Sequence, residues 1–224
     1  MPRRSGLRLT VPRRPAREAD AEHLGHRRVA AWLFAATLAG SALAGPTEDL
    51  AAADAASAKG DYPTALKLVR PLAEQGNAAA QFKLATLYGK GNGVPQDSAI
   101  AVDWYRKAAD QGNVAAQHSL GAMYVTGLGV PQNFAEGAKW LRKAADQGDG
   151  VAQYNLALMY EQGQGVEPDP VAAWKWFELA SKRFPNDAER RNRAVQGRDR
   201  IATKLAPDKL AQARKLAQNW KPTK

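Results

Sequence analysis

The sequence contains no cysteine in 224 residues. That excludes a disulfide-stapled scaffold, a thiolate zinc site, a cysteine nucleophile and a lipoprotein's lipid-bearing cysteine. Aromatic side chains make up only 8% of the chain, and no stretch reaches the run of ~20 apolar residues needed for a confident membrane span. Histidine is nearly missing too. Of the three present, His23 and His26 fall in a leader segment and only His118 remains. One imidazole with no second histidine and no cysteine makes no ordinary zinc site. No G-x-S-x-G, H-E-x-x-H or S-x-x-K string is present to carry catalysis. The expectation is a protein without metal, cofactor or enzymatic activity, although His118 beside a serine or carboxylate would be the place to look for one.

The chain carries 32 Lys+Arg against 22 Asp+Glu, a formal charge of +10, unevenly spread. Residues 1–44 hold +5, residues 45–180 hold −4 and residues 181–224 hold +9. A neutral-to-acidic middle lies between two basic ends, so the overall basicity says nothing about the middle.

The first 44 residues read as an address. Arg- and Pro-rich sequence through Arg27-Arg28 precedes an apolar run from Val29, which closes on the small-x-small triplet Ala42-Leu43-Ala44. A basic n-region, a short h-region and such an ending together make a secretory signal peptide, cleaved near Ala44. The paired arginines also fit a twin-arginine leader. A periplasmic or secreted location is therefore expected, with membrane contact only transient and through the leader.

An internal repeat dominates the rest. Residues 78–113 and 114–149 align without a gap and match at 19 of 36 positions, where about two or three would be expected by chance. Residues 150–185 continue the frame with Gln153, Tyr160, Gly163, Gly165, Val166 and Trp176. Each unit reads as two helices. Gln81, Leu84, Ala85 and Tyr88 fall at i, i+3, i+4 and i+7, one face of a helix. Gly-x-Gly-Val-Pro ends it, because glycine accepts a left-handed cap and Pro95 cannot continue the helix. Asp97, Asn133 and Asp169 stand where the second helix needs an N-cap, and Asn77, Asn113 and Asp149 where the next first helix does. Residues 45–77 form an entry helix pair with Pro71 placed to kink its second helix. Residues 186–224 supply basic capping helices, with Pro207 suited to a first turn. A lone helix pair cannot bury its apolar face and stacked pairs can. The predicted architecture is all-α, a right-handed α-solenoid of antiparallel helix pairs closed by C-terminal capping helices.

The string A-x-x-x-L-x-x-x-Y-x-x-G-x-G-V-x-x-D followed by W-Y-x-K-A-A-x-Q-G resembles the Sel1-like repeat (SLR) family, a relative of the tetratricopeptide repeats. The resemblance covers residues 78–185, with a third unit that departs at Glu167-Pro168, Pro170 and Phe184-Pro185. It implies a protein-interaction scaffold or adaptor, often in the bacterial envelope, without chemistry of its own and without a named partner.

Positions that repeat are explained by packing. The Gly-x-Gly triplets follow a helix and recur in register, so they are turn devices rather than phosphate loops. Trp104, Trp140 and Trp176, with Tyr88, Tyr124 and Tyr160, read as repeat core. Positions that differ between units are the candidates for a ligand. One such stripe on the first helices comprises Phe82, His118 and Tyr154; Thr86, Ala122 and Leu158; Gly89, Val125 and Glu161; and Lys90, Thr126 and Gln162. If the array curves as tetratricopeptide repeats do, this stripe lines the concave groove. It is either an idle solvated face or a peptide groove, and the Phe82–His118–Tyr154 series favours the groove because aromatic side chains are preferred anchors. In the tail, Arg190, Arg191, Arg193 and Arg198 are either a solvated, capping face or a contact for an acidic protein, anionic lipid or cell-wall polymer. Nucleic acid is not expected behind a secretory leader. The functional expectation is a non-enzymatic scaffold of the bacterial envelope that binds a protein or peptide partner; a cell-wall accessory protein that binds glycan is the alternative.

Overall fold

A computed structural model describes residues 45–223. The leader, residues 1–44, lies outside the described residues, as does Lys224. Ten helices are present among the described residues: α1 (Pro46–Ala58), α2 (Tyr62–Glu74), α3 (Ala78–Lys90), α4 (Ser98–Asp110), α5 (Val114–Thr126), α6 (Phe134–Asp146), α7 (Gly150–Gln162), α8 (Pro170–Ser181), α9 (Ala188–Ala202) and α10 (Pro207–Asn219). Each helix from α1 to α8 packs on the next, so the chain stacks helix pairs into an α-solenoid. None of the helices is long and apolar enough to cross a membrane.

The caps fall where the sequence places them. Asn77, Asn113 and Asp149 accept from the backbone N–H three residues on, at 3.0, 2.9 and 2.6 Å. Asp97, Asn133 and Asp169 do the same for α4, α6 and α8. Gly91, Gly127 and Gly163 close the first helices in the left-handed conformation. The second glycine of each triplet has a further reason. A β-carbon on Gly129 would stand 2.3 Å from the Ser98 carbonyl oxygen, and one on Gly165 2.2 Å from the Phe134 carbonyl carbon. Each loop thus lies against the start of the second helix of the preceding unit, which only glycine allows.

The third unit's prolines disturb little. Pro170 occupies the first turn of α8, where no N–H is required, and Asp169 caps both Val171 and Ala172. The helix closes one residue earlier than its counterparts. Likewise α2 runs through Pro71 to Glu74. The acceptor that the proline leaves free is the carbonyl of exposed Lys67, which water can satisfy.

Small residues fill the helix contacts: Ala80, Ala116 and Ala152 are fully buried, as are Ala101, Ala108 and Ala144. The tryptophans correct the expectation of a uniform core. Trp176 is 2% exposed, but Trp104 and Trp140 are only partly buried. Lys107 and Lys143 sit over their rings at 3.9 and 4.0 Å from the centroids. The difference comes from the tail, because Trp220 covers Trp176 edge-on at 6.3 Å and nothing corresponding covers the other two rings among the described residues. The repeated tyrosines are tied between units. Arg70 and Arg106 donate to the hydroxyls of Tyr88 and Tyr124 at 3.3 and 3.0 Å, and Arg142 lies over the Tyr160 ring at 5.2 Å.

Candidate functional site

A glutamine ladder fixes the stacking of the first helices. Buried Gln81 donates to the Ala73 carbonyl at 3.2 Å, and its own oxygen accepts from Gln111 at 2.7 Å. Gln117 repeats this with Ala109 and Gln147 at 3.1 and 2.8 Å. A buried amide satisfied at both ends sets the register of neighbouring units. The predicted stripe is presented from this frame.

At the N-terminal end, Phe82, Thr86 and Lys90 share a cleft of about 370 Å³ with Asp54, Ser57, Tyr62 and Lys83. Phe82 is half-buried against Tyr105, ring centroids 5.6 Å apart. Thr86 donates to the Phe82 carbonyl at 2.9 Å, and its hydroxyl lies 3.1 Å from that of Tyr105. Lys90 is exposed, and an ion pair between Lys83 and Asp54 joins α3 to α1 across the cleft. In the middle unit His118 and Ala122 are half-buried, and Thr126 is exposed and donates to the Ala122 carbonyl. None of these three lines either end cleft.

At the C-terminal end, Tyr154 meets Phe177 edge-on at 5.6 Å and lines a second cleft, of about 200 Å³, with Val151, Asn155, Phe184, Arg190 and Arg193. The structure therefore brings two of the tail arginines to the end of the stripe. The other two are structurally engaged. Arg191 donates to the Pro185 carbonyl at 2.9 Å, and Arg198 bridges Glu178 and Asp199 at 3.0 and 2.7 Å. Leu158 packs into the C-terminal core and Gln162 is exposed. Glu161, in the same variable stripe, accepts from Nε and Nη2 of Arg200 at 2.8 and 2.7 Å. That hydrogen bonding keeps its carboxyl below the usual range against the opposing effect of burial.

Sequence reasoning missed Asp54, Tyr62 and Phe184. Asp54 and Tyr62 belong to the entry pair, whose loop is shorter than that of the later units, so the 36-residue frame does not project them onto the stripe. Phe184 lies where the third unit drifts from the repeat. Among the described residues no group of three or more acidic or histidine side chains is placed to hold a metal ion.

The fold and the repeat meet in the comparisons. The Sel1 repeat model matches residues 78–113, 114–149 and 150–183. A solved Sel1 repeat protein from Oxalobacter formigenes is 36% identical, with a TM-score of 0.53, over 58% of this chain and 97% of its own. The chain belongs to the Sel1 repeat family. A second Sel1-type structure, c5321, is a protective antigen present in uropathogenic Escherichia coli strains and displays an SLR fold. It is 31% identical with a TM-score of 0.53 over 79% of this chain. This chain spans only 45% of that protein's length. No curated protein matches. Sel1 repeat proteins are typically non-catalytic protein–protein interaction scaffolds, and the three matched units begin at the same residues as in the internal alignment, the third ending at 183.

Proposed function

We propose that this Sel1 repeat protein is a non-enzymatic scaffold of the bacterial envelope, periplasmic or secreted, that binds an extended segment of a partner protein along its first-helix face. One observation carries the reading. Four of the residues that vary between units line clefts at the two ends of that face, Phe82, Thr86 and Lys90 at one end and Tyr154 with two tail arginines at the other. Packing explains why positions repeat; it gives no reason for the variable ones to line cavities. The envelope location rests on the signal-peptide pattern of residues 1–44. The glycan alternative draws on the partly buried rings of Trp104 and Trp140, but a sugar stacking there on the lysine-bearing face would have to displace Lys107 or Lys143.

The test uses the exposed, in-register positions Lys90, Thr126 and Gln162, because Phe82 and Tyr154 also support packing. A chain carrying Lys90→Glu, Thr126→Glu and Gln162→Glu should keep its helical circular dichroism and lose the partner that wild type captures by cross-linking in an envelope fraction. Undiminished capture by the triple variant would remove the groove assignment. Co-sedimentation of the wild-type chain with purified peptidoglycan would transfer the reading to glycan.

A further inference from the structure

The last helix departs from the stacking rule. α9 packs on α8 as a further first helix would, but α10 packs on α8 rather than on α9. Its hold is slight. Only Ala213 and Ala217 of α10 are buried, and no side chain caps its start at Ala206. A cleft of about 620 Å³ runs along one side of it, between Tyr160, Lys175 and Trp176 and the arm's Lys209 and Leu216. Another of about 360 Å³ lies on the other side, between Trp174 and Glu178 and the arm's Arg214 and Gln218. Open clefts thus flank the arm on both sides.

Two buried side-chain polar atoms lack a hydrogen-bond partner among the described residues, Gln153 Oε1 and Trp174 Nε1. Trp174 lines the smaller of these clefts, and Gln153 donates to the Ala145 carbonyl through its other amide atom. In the first two units the corresponding glutamine oxygen is satisfied by Gln111 or Gln147. The position in register with those two is Arg183, whose guanidinium lies 5.4 Å from the Trp220 ring centroid instead. Trp220 in turn rests on Trp176, and the Thr223 N–H donates to the Asp146 carbonyl at 2.8 Å. The side chain that stands where Gln153 would find its donor thus lies on the docked tail. Trp174, which lines the smaller cleft, keeps an unpaired indole N–H under the docked arm.

The charges do not match either. The arm carries Lys209, Arg214, Lys215 and Lys221 with a single acid, Asp208. The seat presents Arg142 and Lys175. Three of its carboxylates are already engaged, Glu178 with Lys182 and Arg198, Asp199 with Arg198 and Asp169 with the start of α8, while Asp146 lies near both cations. Burial holds Lys175 below the usual lysine range, with Asp146 opposing the shift and Arg142 adding to it.

We propose that residues 207–223 are a displaceable arm and that the α8 face beneath them is a docking surface for an acidic amphipathic helix of a partner protein. Small residues at the spacing of Ala213 and Ala217 would seat that helix, and its acids would face Arg142 and Lys175. Release of Trp220 frees Arg183 to reach Gln153, so partner binding and completion of the glutamine ladder support one another. The surface lies apart from the first-helix groove and does not depend on it.

The test uses the full chain. Hydrogen exchange should show residues 207–219 opening on the order of 100-fold more often than α7. Arg183→Gln should speed exchange of the arm and slow that of α7, opposite signs that a merely structural tail would not give. The probe is a labelled peptide of residues 207–220 with Lys209, Arg214 and Lys215 all replaced by glutamate. It should bind the Trp220→Ala chain about 10-fold more tightly than wild type, because the seat is already vacated. It should also bind that variant about 10-fold more tightly than the unsubstituted peptide does, an advantage that falls with salt. Exchange of the arm in step with α7 would overturn the proposal, as would equal binding to both chains or equal binding of both peptides. Concentration-dependent dimers of the Trp220→Ala chain would give the seat to a second copy and overturn the partner assignment.

Discussion

Gln81, Gln117 and Gln153 occupy one position of the repeat and should respond differently to one substitution. Methionine is nearly the shape of glutamine and removes its hydrogen bonding without leaving a large void. Gln117→Met loses the bond to the Ala109 carbonyl and the one from Gln147, each worth about 1 kcal/mol net. Ala109 O keeps the Gly112 N–H, and Gln147 keeps a contact with the Gly112 carbonyl, so no group is wholly orphaned and the cost is about 2 kcal/mol. Gln81→Met should behave alike. Gln153→Met loses only the bond to Ala145, and it removes an oxygen that is buried without a partner, a relief of about 1–3 kcal/mol. Its net effect should run from about zero to about 2 kcal/mol stabilising. At about 2–4 °C per kcal/mol for a chain of this size, the first two variants should melt about 4–8 °C below wild type and the third between the wild-type temperature and about 8 °C above it. The assay is thermal unfolding followed by circular dichroism, with urea unfolding as a check. An equal loss in all three would refute the reasoning, since it would mean that Gln153 is satisfied as fully as the others.

Two further outcomes follow from the loops and the tail. Gly129→Ala must place a β-carbon at 2.3 Å from the Ser98 carbonyl and hold alanine at a φ of +72°, which should cost roughly 2–5 kcal/mol. Gly112→Ala, at a φ of +87° with open space around it, should cost only about 1–2 kcal/mol; comparable melting temperatures for the two would show that the loop does not need the close approach. Glu161, lowered from its ordinary value of 4.5 by its bonds to Arg200, stabilises the fold when ionised. That contribution is present above pH 4.5 and is lost as the pH falls below it, through the folded-state value. Glu161→Gln should therefore flatten the acid limb of the stability profile in that window, and an unchanged limb in urea titrations would count against the pairing.

The repeat units, their helix pairs, the six N-caps and the glycine closures could all be read from the chain, because each depends on residues close in sequence and the repeat states them three times. The N-caps illustrate why: Asn77 reaches Ala80 and Asp97 reaches Ile100, three residues on in each case. The stripe could also be projected from register alone, as Phe82, His118 and Tyr154 show. What lines it at the two ends could not. Tyr154 meets Arg190 and Arg193 only because the third unit turns at Phe184 and lays α9 on α8. The pairing of Glu161 with Arg200 spans 39 residues and no local rule foretells it. The sequence likewise made the three tryptophans equivalent, and tertiary structure did not. Trp220 seals Trp176 and leaves Trp104 and Trp140 partly open, since a repeat can specify contacts within and between its units but not which surface a non-repeating tail will cover. The fold was thus determined by short-range chemistry written several times over, and the details of the surfaces were decided by the few residues that appear once.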